Sequence, residues 1–122
     1  MYFRITIPAL QDGKKEEAIT FVKDKVMPEF DGTPGLISMT AAITGETSGI
    51  NMSAYENKEA SEAVAEKVQA TLAEAASFMA APPVIYEGEA VFGKVYQDIS
   101  KEEKKPGYMR LMLLEPFRQQ LR

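Results

Sequence analysis

The sequence of 122 residues carries a formal net charge of −4, and 45% of its residues are apolar, which suits a single domain with its own hydrophobic core. It contains no histidine, cysteine or tryptophan. This excludes an imidazole base, a thiolate nucleophile, a Cys/His zinc site and a haem iron ligated by histidine or cysteine. The acidic balance also disfavours nucleic acid, since proteins that bind it present clustered basic residues.

No apolar run approaches the roughly 20 residues that a membrane-spanning helix needs. The first residues, Met1 to Thr6, lack the basic-then-apolar pattern of a secretory signal. We therefore expect a cytoplasmic protein with neither a membrane nor a nucleic-acid partner.

The first half of the sequence predicts a strand, a helix and a β-hairpin. Aromatic and β-branched residues predict a strand over residues 2–8, ending at a proline. Asp12 is the expected N-cap of a helix, and Pro28 is expected to kink or break it. The apolar residues at helical spacing are Ile19, Val22, Val26, Met27 and Phe30. Strands are predicted from Leu36 to Thr44 and from Ile50 to Glu56, joined by a glycine-containing hairpin loop.

The second half predicts a helix, a long strand and a tail. Asn57 is the expected N-cap of an alanine-rich helix that Pro82 and Pro83 end. The stripe expected to be buried on this helix consists of Ala60, Val64, Val68, Leu72, Ala75 and Met79. A strand of unusual length follows from Val84 to Tyr96. After a charged linker, residues 108–114 are expected to form a fifth strand, with a short helix as the alternative.

The predicted order of elements indicates an α+β fold. Strand, helix, strand, strand, helix, strand is the ferredoxin-like β-α-β-β-α-β arrangement, here with an additional C-terminal strand or short helix. We expect an antiparallel sheet with both helices on one face. Several strands carry apolar residues on both faces, as at Leu36–Ile37 and Val91–Phe92. Because apolar area left in water costs ~25 cal/mol per Å², we predict a symmetric homodimer that covers the second face.

Several phrases of the sequence resemble the antibiotic biosynthesis monooxygenase (ABM) family of dimeric α+β barrels. The first is Val26–Phe30 leading into Thr33–Leu36. The others are Tyr55–Ala60 at the start of the second helix, and Pro82–Pro83 before Gly88–Val91. The resemblance covers about residues 2–96.

This resemblance implies an ABM-like domain over residues 1–97 and a C-terminal extension over residues 98–122, which we expect to pack across the dimer. It also implies a small-molecule cavity between helices and sheet. Some members oxygenate aromatic or quinol compounds without metal or flavin, whereas a haem-degrading branch uses an asparagine, a tryptophan and a proximal histidine. Here Tyr55 stands at the tryptophan position and histidine is absent. We therefore expect no haem degradation by that scheme, and no cofactor.

The candidate catalytic residues are Tyr55 and Arg4. The Tyr55 phenol could hydrogen-bond a bound phenol or quinol, and the Arg4 guanidinium could hold an anionic or phenolate oxygen. Alternatively, Tyr55 is an amphipathic core residue, and Arg4 pairs with a strand carboxylate such as Glu87 or Glu89. The candidate ligand-binding residues are Asn51, Ser53, Tyr86 and Met39. The polar ones could equally face solvent, and the methionine could serve core packing. No metal site is predicted.

Two functions are compatible with these residues. The first is a cofactor-independent monooxygenase acting on a small aromatic or quinol-like compound, in which Tyr55 and Arg4 orient the substrate oxygen and Asn51 or Ser53 assists. The second is a non-catalytic module that binds a small apolar ligand or only dimerises. The lack of histidine and cysteine fits the second function. An open cavity with convergent polar groups would favour ligand chemistry.

Overall fold

The computed structural model describes residues 1–94 and 96, and these form one antiparallel sheet with helical connections. Its four strands lie in the order β2-β3-β1-β4. They are β1 (Tyr2–Leu10), β2 (Leu36–Gly45), β3 (Ser48–Tyr55) and β4 (Met79–Glu89). This is the ferredoxin-like α+β fold that the order of elements predicts. Strand β1 continues through Pro8, where the prediction ended it, and its register against β4 shifts between Ile7 and Ala9.

The first helical connection is interrupted, as Pro28 predicts. It comprises α1 (Lys15–Phe21), a π-helical turn (Val22–Val26) and α2 (Met27–Phe30). Pro28 lies in the first turn of α2, where its missing N–H is tolerated, and the wider π turn precedes it. The expected N-cap at Asp12 is wrong. Gly13, with φ of 76°, extends the turn, and the helix begins at Lys15.

The second helical connection has three segments: α3 (Lys58–Ala63), α4 (Ala65–Glu74) and a 3₁₀ turn (Ala75–Phe78). The predicted cap is confirmed, because the Asn57 side chain accepts a hydrogen bond from the Ala60 amide at 2.9 Å. The predicted start and end of the last strand are wrong. Both prolines at 82–83 lie inside β4, which ends at Glu89. Prolines are tolerated there because β4 is an edge strand.

One hydrophobic cluster joins the helices to the far end of the sheet. It contains Leu10, Ala18, Ala75 and Phe78, all buried, and Phe21 meets Phe78 edge to face with ring centroids 5.3 Å apart. The predicted stripe is therefore partly right. Ala75 is buried, but the neighbouring apolar positions on α4 are only half-buried. Ile19, expected in the core, is 38% exposed, because Ala18 points inward instead.

The two faces of the sheet differ in character. Arg4 and Leu10 contact the helices, so the even-numbered residues along β1 face the helical layer. The opposite face carries Phe3, Ile5, Ile7, Ile50, Met52 and Tyr86, all half-buried in the single protomer. The homodimer that would cover this face stays a prediction. The boundary between residues 97 and 98 and the expected fifth strand over 108–114 lie outside the described residues.

Candidate functional site

A buried arginine is the centre of the polar cluster on the helix-facing side of the sheet. Arg4, in β1, is only 7% exposed. Its Nε donates to Glu87 Oε1 on β4 at 2.9 Å, and its Nη1 donates to the Tyr55 hydroxyl on β3 at 2.8 Å. Its Nη2 donates to both the carbonyl oxygen and Oγ of Ser61 on α3, at 3.0 and 2.5 Å. One guanidinium thus connects three strands and a helix, and Glu87, whose side chain is 42% exposed, is its ion-pair partner.

Tyr55 lies beneath α3 and is fully buried. The Arg4 Cζ lies 5.2 Å from the centroid of the Tyr55 ring, within the range of a cation–π contact. Helix α3 approaches closely at this point. A Cβ added to Gly35 would come within 2.6 Å of the Ala60 Cβ, so the loop before β2 requires glycine there. The phenol is therefore a packed and hydrogen-bonded group in this state.

A second group of candidate residues lies on the same face. Ser53 and Asn51 stand two and four residues before Tyr55 on β3, and Met39 lies beside Ser53 on β2. Cross-strand pairing places Ser53 between Arg4 on β1 and Met39 on β2, and Asn51 beside Thr6 on β1. Ser53 is 8% exposed. The Asn51 Oδ1 is buried and has no hydrogen-bond partner within the described part of the chain. A buried acceptor without a partner costs free energy, and such an exception calls for a physical explanation.

The structure does not bring Tyr86 to this site. Tyr86 pairs with Ile5 and lies on the opposite face of the sheet, whereas its neighbour Glu87 pairs with Arg4. Since side chains alternate along a strand, the phenol and the guanidinium cannot share a cavity in one protomer. Tyr86 therefore lies apart from Tyr55 and Arg4 in one protomer, and its role in ligand binding stays a prediction. The remaining five candidates share the helix-facing side: Arg4, Met39, Asn51, Ser53 and Tyr55.

The cluster contains a residue that sequence reasoning missed. Ser61 is 1% exposed and supplies two of the four acceptors around Arg4. The sequence signal for a buried Ser61 is its spacing. It lies three residues before Val64 and seven residues before Val68, and this spacing puts all three on the inward face of a helix. A polar residue on an apolar stripe needs a buried partner, and here that partner is the guanidinium.

The described side chains of the site offer binding, orientation and charge stabilisation. Within residues 1–94 and 96, no group of three or more His, Cys, Asp or Glu side chains is placed to hold a metal ion. Haem does not fit these residues either, since the sequence supplies no histidine or cysteine to ligate the iron, and the position expected to meet the haem is the buried Tyr55. Glu87 is engaged with Arg4 and is not positioned as an isolated base.

An open groove lies elsewhere, between α1 and the segment from Glu74 to Phe78. It encloses about 450 Å³ and is lined by Glu16, Glu17, Thr20, Phe21, Glu74, Ser77 and Phe78. None of the predicted site residues contributes to it. In addition, among the helices of the described residues, none is long and apolar enough to cross a membrane.

Comparison with known proteins identifies structural neighbours but no sequence match. No family sequence model matches the chain, and no curated protein matches it. A monooxygenase of Streptomyces coelicolor in complex with nanaomycin D superposes with a TM-score of 0.64 at 17% identity, covering 80% of this chain and 92% of its own. The haem degrader MhuD of Mycobacterium tuberculosis, with two haems bound, gives 0.63 at 18% identity, covering 78% and 100%.

A Nitrosomonas europaea protein assigned to the antibiotic biosynthesis monooxygenases also superposes, with a TM-score of 0.62 at 17% identity, covering 75% of this chain and 100% of its own. At such identities the similarity establishes the fold. The chain therefore has an ABM-like fold, as its sequence phrases predict.

Proposed function

We propose that this protein is a cofactor-independent monooxygenase that acts on a small aromatic or quinol-like compound held between the helices and the sheet. The observation that carries the proposal is the buried, unpartnered Oδ1 of Asn51. It lies on the same face of β3 as the buried Ser53 and Tyr55, two and four residues away, and its cross-strand partner Thr6 is two residues from Arg4. The similarity of the whole fold to a monooxygenase crystallised with nanaomycin D supports an aromatic or quinol-like ligand.

The proposed reaction requires only the substrate and dioxygen. A phenol-type substrate gives its hydroxyl proton and one electron to dioxygen, and the two radicals recombine at a ring carbon to give a hydroperoxide that carries that proton. Loss of water from that hydroperoxide leaves a quinone. The substrate supplies all the electrons, one oxygen atom enters the product and the other leaves as water. Asn51 would accept the hydrogen bond of the substrate hydroxyl, and the positive charge of Arg4 would favour the phenolate.

A specific observation favours a second function, that of a non-catalytic module for binding a small apolar ligand or for dimerisation. Each nitrogen of the Arg4 guanidinium already donates to a protein acceptor, and Tyr55 has no exposed surface. A catalytic role for either residue requires that a substrate replace one of those internal bonds. The chain has no histidine or cysteine, so neither an imidazole nor a thiolate is present to act as a base.

The experiment that separates the two functions is oxygen consumption with a panel of naphthols and hydroquinones. We expect consumption above the rate in buffer, with one dioxygen per substrate. Asn51→Leu should lower the rate by at least about tenfold, since a lost hydrogen bond of ~1.4 kcal/mol corresponds to one decade. Thr40→Val is the matched control, because Thr40 pairs with Met52 on the opposite face of the same sheet. Binding of panel compounds without oxygen consumption would favour the binding module.

The proposal includes a homodimer in the cytoplasm. The support is the half-buried apolar face opposite the helices, where Phe3, Ile5 and Met52 lie. Sedimentation equilibrium should give a dimer at micromolar concentration, and removal of residues 99–122 should weaken it if the C-terminal extension packs across the dimer. A monomer would count against the covered face, and an unchanged dimerisation constant after truncation would count against the extension. Imaging of the tagged chain tests the location.

A further inference from the structure

The Asn51 Oδ1 is shielded from solvent in this state, although Asn51 as a residue is half-buried. Of its neighbours, Tyr55 has no exposed surface and Ser53 is 8% exposed. A ligand can reach the Asn51 Oδ1 only if a covering group moves. The sheet itself is not that element, since each of its strands is held by a ladder of backbone hydrogen bonds.

The topology shows which elements cover the site. The connection from β1 to β2 passes over β3, and the connection from β3 to β4 passes over β1, because of the strand order. Asn51 on β3 pairs with Thr6 on β1, so both lie below the boundary between the two helical connections. Helix α4 runs along that boundary, since the chain passes from Ser61 beside Arg4 to Phe78 beside Leu10.

Helix α4 is weakly anchored along its length, although both of its flanks are fixed. None of its residues is buried. Before it, Ser61 is bonded to Arg4, and after it Ala75 and Phe78 are 6% and 5% exposed in the core cluster. At its N-terminal end the helical path breaks at Val64, with φ −108° and ψ 10°. At this end of α4, Ser61 is a fixed attachment and Val64 is a change of backbone conformation, and a hinge requires both.

Two lysines hold α4 to the neighbouring connection. The Lys67 Nζ donates to the backbone carbonyl of Glu29 at the end of α2 and lies 4.7 Å from the centroid of the Phe30 ring. The Lys25 Nζ, in the π-helical turn, lies 3.1 Å from Glu74 Oε2. Both contacts join the two helical connections, and both are solvent-exposed. Exposed contacts of this kind contribute little individually, so they can break and reform easily.

From this geometry we propose that α4 is a hinged cover over the Asn51–Ser53 site, held closed by Lys25 and Lys67, and that its opening admits the ligand. The proposal relies on the proposed function for the location of the site, but not for the oxygenation. In the closed state the cover excludes water from the substrate oxygen. In the open state the boundary between α4 and α2 becomes the entrance.

A single introduced thiol tests the cover without any substrate, because the natural chain has no cysteine. Asn51→Cys should react slowly with a methanethiosulfonate reagent. Combining it with Lys25→Met and Lys67→Met should raise the rate by about fivefold, as expected for the loss of two exposed contacts. Lys58→Met is the control, since its ion pair with Glu62 lies within α3. Ser53→Cys repeats the measurement with a nearly isosteric change should Asn51→Cys fold poorly.

Thr40→Cys, on the opposite face, reports on general loosening of the fold and should show no acceleration. Equal reactivity with and without the two lysines would overturn the proposal. So would rapid reaction in the parent protein, or acceleration of Thr40→Cys to the same degree. Faster thiol labelling without the two lysines, together with no oxygen consumption, would support the hinged cover and reject the monooxygenase. The failure of one proposal is therefore distinguishable from the failure of the other.

Discussion

Replacing Tyr55 by phenylalanine tests the energetic role of the Arg4 cluster with minimal change in shape. The ring remains, so the cation–π geometry, with Cζ 5.2 Å from the centroid, is retained. The hydroxyl that accepts from Arg4 Nη1 at 2.8 Å is lost. Hydrogen bonds to charged groups contribute ~1.5–3 kcal/mol, and a fully buried N–H finds no replacement. We expect Tyr55→Phe to lower the free energy of unfolding by about 2 kcal/mol.

Urea denaturation followed by far-UV circular dichroism measures this change. With a slope of ~1–3 kcal/mol per M, the midpoint should fall by about 0.7–2 M while the slope stays constant. Tyr2→Phe is the matched control. Tyr2 is also buried, on the same face, and within the described residues its hydroxyl makes no hydrogen bond. A loss below about 0.5 kcal/mol at Tyr55, or an equal loss at Tyr2, would refute the reasoning, since surface-like effects fall within that range.

Two further predictions concern the helical layer. Gly35→Ala should destabilise the protein more than Gly13→Ala: both glycines have φ near +77° (78° and 76°), but only the Cβ at position 35 would meet Ala60, at 2.6 Å. Thermal unfolding measures the difference, and equal losses would show that the contact relaxes without cost. The hydrogen bonds and charges of Glu74 and Glu29 raise the pKa of Lys25 above its usual 10.5. The stabilisation from these contacts should therefore be complete below pH 10.5 and decline as the pH rises through the folded-state pKa. In Lys25→Met this decline should be smaller, as pH titration of the urea midpoint would show.

The order of elements could be predicted because it depends on local signals. Alternation of apolar residues predicts β2 and β3, and the Asn57 cap marks the start of α3. The extent of β4 could not be predicted in this way. Pro82 and Pro83 end a helix or a central strand but are allowed in an edge strand, and only the sheet order shows that β4 is one.

The candidate site was predictable in part for the same reason. Strand alternation places Asn51, Ser53 and Tyr55 on one face, and the structure has them there. However, strand alternation tells only which residues of one strand share a face. It does not tell which residues of another strand lie on that face. The register between β1 and β4, a tertiary property, is what puts Tyr86 on the opposite side from Arg4. The Arg4–Ser61 contact joins a strand to a helix far along the chain, so no local pattern specifies it.

The two prolines in the outer strand also restrict how this sheet can grow. Neither has an N–H to donate, so the rim formed by β4 is interrupted as a template for another strand. The opposite rim, β2, contains no proline over Leu36–Gly45. Main-chain pairing with a further segment is therefore less hindered along β2 than at the proline positions of β4. The two edges of the sheet thus differ in how readily they can pair with an added strand.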